Sequence, residues 1–216
     1  MARTLLSVSA VVGLLLVSSL KAVAAPAPLT EEACSAATVV LNEMINHSSA
    51  GLTVLDDSLD SGQIKLWSGP EGYDLAQTVP PLEGEAIEPQ RWFTVMAAGN
   101  IDPTQLAPPA KATVQAFLTA DLISATGCEA VRRFAIGRGV SLNAPPGPRR
   151  INRRSGRYTY RSIRLSVPVF SQDGTEALAY ADSSSGPLGA GGALWLLRRG
   201  SDGVWKITAR LGLWVS

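Results

Sequence analysis

The sequence predicts an α+β protein in which N-terminal helices pack on one face of a C-terminal four-stranded antiparallel meander. Apolar residues between Ala33 and Ile45 recur at the three- and four-residue spacing of a helix. From residue 163 onward, apolar and polar residues alternate instead, and Asp-Gly turns at Asp173 and Asp202 divide the alternating runs. A hydrophobic fraction of 46% provides enough apolar side chains for a core, which excludes a disordered chain.

The first 24 residues are predicted to be a signal peptide. Arg3 provides a short positive region, and residues 5–20 form an uncharged, largely apolar run. Ala22-Val23-Ala24 then supplies the small-x-small pattern that signal peptidase recognises. The run is shorter than the roughly 20 residues that a membrane helix needs, which favours a cleaved leader over an uncleaved anchor. We therefore expect an exported protein, periplasmic or secreted, with no transmembrane span in its mature part.

The mature chain is predicted to form one compact domain, with a helix-rich acidic region containing Pro-rich loops at 25–148 and the meander at 149–216. The first helix begins after Thr30, whose hydroxyl is a good N-cap, and runs to about His47. The other N-terminal elements are strand candidates at 63–67 and 91–96, a second helix from Pro109 and a short third helix near 128–134. The strands of the meander are predicted at 163–169, 177–181, 192–199 and 205–215.

Cys34 and Cys128 are the only two cysteines, and we expect a disulfide between them. Outside the cytoplasm a lone pair of thiols is usually oxidised, and closing a loop of about 94 residues would stabilise the fold by roughly 4–5 kcal/mol. Cys34 also shares a helical face with Leu41 and Ile45, so it should point to the core. Two unpaired buried thiols are the alternative. A catalytic cysteine is disfavoured because His47 is the only histidine that could activate it.

Charge is divided unevenly along the mature chain. Residues 25–129 carry 14 acids and three bases, a net charge of −11, and residues 130–216 carry 14 bases and four acids, a net charge of +10. The densest basic group is Arg149, Arg150, Arg153 and Arg154. One hypothesis assigns these arginines an anionic envelope ligand or a protein partner. The other is neutralisation by the chain's own acidic half, which the nearly equal and opposite charges favour.

The meander contains three tryptophans, Trp195, Trp205 and Trp214. Trp205 and Trp214 are nine residues apart, so in an unbroken strand they point to opposite faces of the sheet. One of them would then line the outer or concave face, where a ring beside Arg161 or Arg210 could stack on a ligand. Core packing of all three rings is the preferred interpretation.

The tail of the chain resembles the final hairpin of NTF2-like cone proteins. The residues that carry this resemblance are Asp202-Gly203-Val204-Trp205-Lys206-Ile207, which close a meander behind N-terminal helices. The turn Phe170-Ser171-Gln172-Asp173-Gly174, followed by Ala177, is similar to one in uncharacterised exported bacterial proteins. The resemblance covers about the last fifty residues. It implies a small-molecule pocket inside the cone or an open sheet face used for dimerisation, and it transfers no catalytic residue.

No catalytic, metal-binding or cofactor-binding residue is predicted, because one histidine and two cysteines exclude a histidine-rich metal centre and disfavour most nucleophile–histidine enzymes. We therefore expect a non-catalytic binding or interaction protein that uses a sheet face or a cone-like pocket. The alternative is an enzyme that acts on a small molecule of the cell envelope through carboxylates and tyrosines such as Tyr158, Tyr160 and Tyr180. No nucleic-acid-binding motif is present, so no nucleic-acid partner is expected, and a homodimer through the sheet face stays open.

N-terminal sequencing of the exported protein tests the leader prediction. Cleavage after Ala24 should leave Ala25 as the first residue, because cleavage one residue later would place Pro26 there. Recovery of the intact Met1 terminus in the membrane fraction would contradict the prediction.

Overall fold

The computed structural model describes residues 29–46, 52–59, 92–94, 109–144, 150–154, 156 and 158–215, with the backbone alone for 92–94 and 214. The predicted signal peptide, the strand candidate at 63–67, His47 and Arg149 lie outside the described residues. Within the described ranges, three α-helices and a mixed sheet form an α+β fold, as predicted.

The helices and strands have the following bounds. The helices are α1 (Glu31–Asn46), α2 (Lys111–Thr119) and α3 (Glu129–Gly137), with a 3₁₀ turn at Ala125–Gly127. The strands are β1 (Thr53–Asp56), β2 (Trp92–Thr94), β3 (Arg161–Leu165), β4 (Val169–Phe170), β5 (Glu176–Ser184), β6 (Ala190–Arg199) and β7 (Trp205–Val215). Strands β5 and β6 are longer than predicted, because Ser183 and Gly191, expected in a loop, belong to the sheet.

The sheet is larger and more mixed than the predicted four-stranded antiparallel meander. Its strand order is β1-β3-β5-β6-β7-β2, and β4 pairs with β5. β1 runs parallel to β3, while the other described strand pairs are antiparallel. β1 was not predicted, because its four residues are too few to show alternation and tertiary pairing with β3 decides their conformation.

The prediction of one continuous strand at 163–169 is wrong. The hydroxyl of Ser166 accepts the backbone N–H of Tyr180 at 2.8 Å, and the N–H of Val167 donates to the chain before the 3₁₀ turn, also at 2.8 Å. Pro168 has no N–H to donate. β3 therefore ends before these residues, and β4 resumes the pairing with β5 one residue out of register.

Helices cover both faces of the sheet, not one face as predicted. α1 and α3 lie on what we call the α1 face, where the buried sheet residues include Ile163, Leu165, Ala179, Ala181, Trp195 and Leu197. α2 lies on the opposite side, the α2 face, whose core includes Phe117, Leu178, Tyr180, Leu194, Leu196 and Leu211. β5 and β6 are therefore buried on both faces, which removes most of the polar alternation from their sequences.

Contacts at its N-terminus hold α1 across the sheet. Thr30 is the N-cap, as predicted, and its hydroxyl accepts the backbone N–H of Ala33 at 3.1 Å. Glu32 accepts the indole N–H of Trp205 at 3.2 Å and pairs with Arg199 at 3.1 Å. These contacts fix the beginning of α1 beside the β6–β7 turn, so that its C-terminal end lies near β3.

A β-bulge changes the face that β7 presents. Ile207 pairs with Leu197, but Ala209 pairs with Leu196, so Thr208 is an extra residue in β7. Ile207 packs against the core of the α1 face, whereas Ala209 belongs to the core of the α2 face. The hydroxyl of Thr208 donates to the carbonyl of Leu196 at 3.4 Å. The predicted regular alternation along this strand is therefore wrong beyond Ile207.

The predicted disulfide is present. It joins Cys34 in α1 to Cys128, the residue before α3, and the two Cα atoms are 5.5 Å apart. Both residues are buried in the core that α1 and α3 share. The bridge therefore links two packed helices across a sequence separation of 94 residues.

Replacing Cys34 and Cys128 together by alanine should lower the free energy of unfolding by roughly 2–5 kcal/mol, because the unfolded chain loses its cross-link. Urea unfolding of the oxidised wild type and of the double variant measures the difference. Reductant should shift the wild-type curve toward that of the variant and leave the variant unchanged. Equal unfolding midpoints without reductant would contradict the prediction.

Candidate ligand-binding pocket

A pocket of about 590 Å³ opens on the α1 face, between the C-terminal end of α1 and strands β3, β5, β6 and β7. Its volume lies within the range of small-molecule sites. Many positions in this part of the sheet are glycine or alanine. Because these side chains are small or absent, space remains between the sheet and the helix. The lining residues are Glu43, Met44, Arg161, Ala181, Ser183, Leu188, Gly189, Ala190, Gly191, Gly192, Ala193, Trp195, Arg210, Gly212 and Val215.

Arg161, the first residue of β3, is a half-buried cation in the pocket wall. Its guanidinium donates to the carbonyl of Met44 and to the hydroxyl of Ser183, each at 3.1 Å. Both acceptors are neutral, and no carboxylate in the described part of the chain pairs with Arg161. Burial lowers the pKa of Arg161 from its ordinary value, since desolvation disfavours the charged form. The guanidinium still remains protonated at neutral pH.

Arg210 in β7 lies over Trp195 in β6, its cross-strand partner, with the guanidinium carbon 5.8 Å from the ring centroid. Arg210 is exposed and forms no hydrogen bond or ion pair from its side chain to another described residue. Trp195 is 4% exposed, and its indole nitrogen has no acceptor among the described residues. The pocket wall therefore contains a planar cation whose N–H groups are unused and a buried N–H without a partner.

The described lining contains one carboxylate, Glu43, against two guanidinium groups. Glu43 is half-buried and has an interaction of its own, but it forms no ion pair with Arg161 or Arg210. The described lining therefore has a net positive charge. Its donors suit the binding of a negative group, and the described lining does not contain the paired acid and base that proton-transfer catalysis uses.

Trp205 and Trp214 were the candidates for stacking on a ligand, with core packing of all three tryptophans as the preferred interpretation. Trp205 is 5% exposed, its ring packs edge-on against Phe170 with 5.1 Å between centroids, and its N–H donates to Glu32. This burial favours the core interpretation for Trp205. The side chain of Trp214 lies outside the described residues. The tryptophan beside an arginine is instead Trp195.

The arginine tract before β3 lies on the surface. Arg150, Arg153 and Arg154 are exposed, and no described acid forms an ion pair with them, while Arg149 lies outside the described ranges. The few acids of the basic half are used locally, in the pairs Glu176–Arg198 at 2.8 Å, Asp182–Arg164 at 2.8 Å and Asp202–Lys206 at 3.1 Å. An external anionic partner and self-neutralisation both stay predictions for this tract.

A carboxylate and a tyrosine of the kind that the enzyme hypothesis needs lie in β5, outside the pocket. Asp182 is 2% exposed and accepts the hydroxyl of Tyr180 at 2.7 Å. It also accepts Nε of Arg164 at 2.9 Å and Nη2 at 2.8 Å. Burial opposes the charge of Arg164, but the hydrogen bond and charge of Asp182 outweigh it and raise the pKa of Arg164. Both carboxylate oxygens are therefore engaged in a buried ion pair, which is typical of a structural role.

Neither a metal-ligand cluster among the described residues nor comparison with known proteins identifies a further site. No group of three or more potential metal ligands is present in the described residues, and none of the described helices is long and apolar enough to cross a membrane. Comparisons with protein-family models, curated proteins and solved structures found no match to this chain.

Arg161, Arg210 and Trp195 were candidates from the sequence, but their position around one cavity with Glu43 was not predicted. If β6 and β7 paired from their turn without a bulge, Trp195 would pair with Ala209, and Arg210 would face α2. A lone arginine in that apolar core would be unfavourable, so Arg210 itself was the signal for a register shift.

Replacing Asp182 by asparagine should lower the free energy of unfolding by roughly 3 kcal/mol, because it leaves Arg164 without its counter-charge. This loss lies at the lower end of the range for a broken buried ion pair, since the Arg164 side chain is 33% exposed. Chemical denaturation measures the loss.

Asp202→Asn is the matched control, because the Asp202–Lys206 pair lies on the surface, and it should change stability little. An Asp182→Asn variant as stable as this control would contradict the structural role of Asp182.

Proposed function

We propose that the protein is an exported, non-catalytic binding protein that holds a small molecule in the pocket between α1 and the sheet. The observation that carries this proposal is the composition of the pocket, in which Arg161, Ser183 and Arg210 lie among small and apolar residues. A few placed polar groups in an otherwise apolar cavity are typical of small-molecule sites. A pocket of this kind is also what the resemblance to NTF2-like proteins implies.

Export is supported by two independent features. The sequence begins with the leader pattern that ends at Ala24, and Cys34 is bridged to Cys128. Disulfides persist mainly in oxidising compartments such as the periplasm and the extracellular space. A structural bridge in the core of the fold is therefore consistent with a protein that works outside the cytoplasm.

Binding is favoured over catalysis by the surroundings of two described carboxylates, Asp182 and Glu43. Asp182 has both oxygens engaged and is buried, so it is poorly placed to exchange protons with a substrate. The pocket carboxylate, Glu43, has an interaction of its own and two arginines in the same lining. Cationic donors around a cavity stabilise a bound group without any covalent step.

Replacing Gly212 by leucine should abolish binding of pocket ligands. Gly212 lines the pocket, and a Cβ added there would meet nothing within 4 Å, so the new side chain enters open space without displacing the fold. A thermal-shift screen of a mixed small-molecule library identifies ligands of the wild type. Those ligands should lose their stabilising effect in Gly212→Leu, while the unliganded melting temperature stays the same or rises.

Gly137→Leu is the matched control, because a Cβ at Gly137 also meets open space, but at the end of α3, away from the pocket. It should keep every ligand response of the wild type. A library without any stabilising compound, or ligands that bind Gly212→Leu as tightly as the wild type, would contradict the proposed function.

A further inference from the structure

We propose that the pocket binds an amphipathic small molecule through an oxyanion, a carboxylate or a phosphate, which Arg161 and Arg210 hold while the pocket rim contacts an apolar body. This inference rests on the proposed function, because it names the ligand class of the same pocket. It depends on four observations: the missing partner of Arg161, the unused fork of Arg210, the charge of the lining and the exposed apolar rim.

The first observation is a contrast among half-buried arginines. Of the described arginines, Arg161, Arg164 and Arg198 are half-buried. Arg164 is paired with Asp182, and Arg198 donates two hydrogen bonds to Glu176 at 2.9 and 2.8 Å. The hydrogen-bond acceptors of Arg161, the carbonyl of Met44 and the hydroxyl of Ser183, are both neutral. Since partly buried cations in this protein otherwise have a carboxylate, Arg161 is the one whose counter-charge is missing from the described residues.

The second observation concerns the geometry of the donors. A guanidinium has five N–H groups, and Arg161 uses two of them in the contacts to Met44 and Ser183. The guanidinium carbon of Arg210 lies 5.8 Å from the ring centroid of Trp195, and the N–H groups of Arg210 have no acceptor among the described residues. A guanidinium edge matches the two oxygens of a carboxylate or phosphate in a bidentate contact. The buried N–H of Trp195 is a further unsatisfied donor in the same wall.

The third observation is the charge balance. Glu43 is the described carboxylate of the lining, and its charge opposes an anionic ligand. Two guanidinium groups outweigh it, and neither is neutralised by it, because no ion pair joins Glu43 to Arg161 or Arg210. The net field therefore favours a ligand with one or two negative charges over a neutral or cationic one.

The fourth observation is the apolar rim. Leu188 and Val215 both line the pocket and are 90% and 88% exposed, the highest values among the large hydrophobic side chains that the structure describes. Met44 lies deeper in the same lining and is 8% exposed. Contact with a ligand would remove the two rim side chains from water. An apolar tail beyond the oxyanion accounts for this exposure.

The experiment compares octanoate and octyl phosphate with neutral octanamide in binding to the oxidised mature protein. The indole N–H signal of Trp195, assigned in nitrogen–proton correlation spectra with Trp195→Phe, reports binding at the pocket. Octanoate and octyl phosphate should shift this signal, and the tighter of the two identifies the oxyanion that the pocket prefers. Octanamide should bind at least about tenfold more weakly, since it forms no charge-assisted contact.

Arg210→Gln should weaken binding of the two anions about ten- to hundredfold and leave octanamide unaffected. Arg161→Gln should do the same. Because Arg161 also holds Met44 and Ser183, the exposed Arg210 provides the test even where Arg161→Gln fails to fold. Arg133→Gln is the matched control, since it removes an arginine that is exposed on α3 outside the pocket, and it should change no affinity.

The outcomes separate the two proposals. Octanamide binding as tightly as octanoate, or anion affinities unchanged in Arg210→Gln, would overturn the oxyanion inference and leave the pocket as a binding site for neutral molecules. The absence of any shift of the Trp195 signal with either anion would also overturn it. The proposed function fails separately, in the library screen with Gly212→Leu, which makes no assumption about ligand charge.

Discussion

The pocket depends on one extra residue, Thr208 in β7. Before the bulge, Ile207 faces α1 together with the sheet residues of that core, and after it Ala209 packs against the α2 face. The same shift turns Arg210 toward α1 and over Trp195. Without the bulge, a charged side chain would enter the apolar α2-face core and an alanine would take its place in the pocket wall. One inserted residue therefore determines which side chains of β7 join the α2-face core, and it places the charge of Arg210 in the pocket wall.

Side-chain volume explains why the space between α1 and the sheet is closed at one end and open at the other. Near its beginning, α1 is fastened through Thr30 and Glu32 and through the disulfide at Cys34, and its core residues pack directly on the sheet. Toward the end of α1, several residues of the facing strands are small, among them Gly191 and Gly212. The anchored half of α1 sets the distance between the helix and the sheet. Because the side chains that face the other half are small, a cavity is left there.

The sequence predicted the elements better than it predicted how they pair. Helical spacing after Thr30 and the lone cysteine pair correctly indicated α1 and its bridge to Cys128, because these signals are local or unique. The parallel pairing of β1 and the α2 layer depend on contacts between distant segments, which no local pattern records. The bulge at Thr208 has the same origin. Of the candidate site, which combines α1 with four strands, the sequence therefore singled out Arg161, Arg210 and Trp195 but neither the other lining residues nor their assembly.

The distribution of ion pairs gives the pocket its chemistry. The basic half of the chain has 14 bases and four acids, so its own carboxylates can pair with only a minority of its cations. Glu176 and Asp182 pair with the half-buried Arg198 and Arg164, where an uncompensated charge would be most costly. Arg161 is also half-buried but lines a cavity rather than packed side chains. Its solvation is incomplete, so a ligand that supplies a negative group recovers more free energy here than at an exposed arginine such as Arg150. Arg161 and Arg210 have no carboxylate partner among the described residues, so the pocket is suited to bind an anion, which supplies the missing counter-charge.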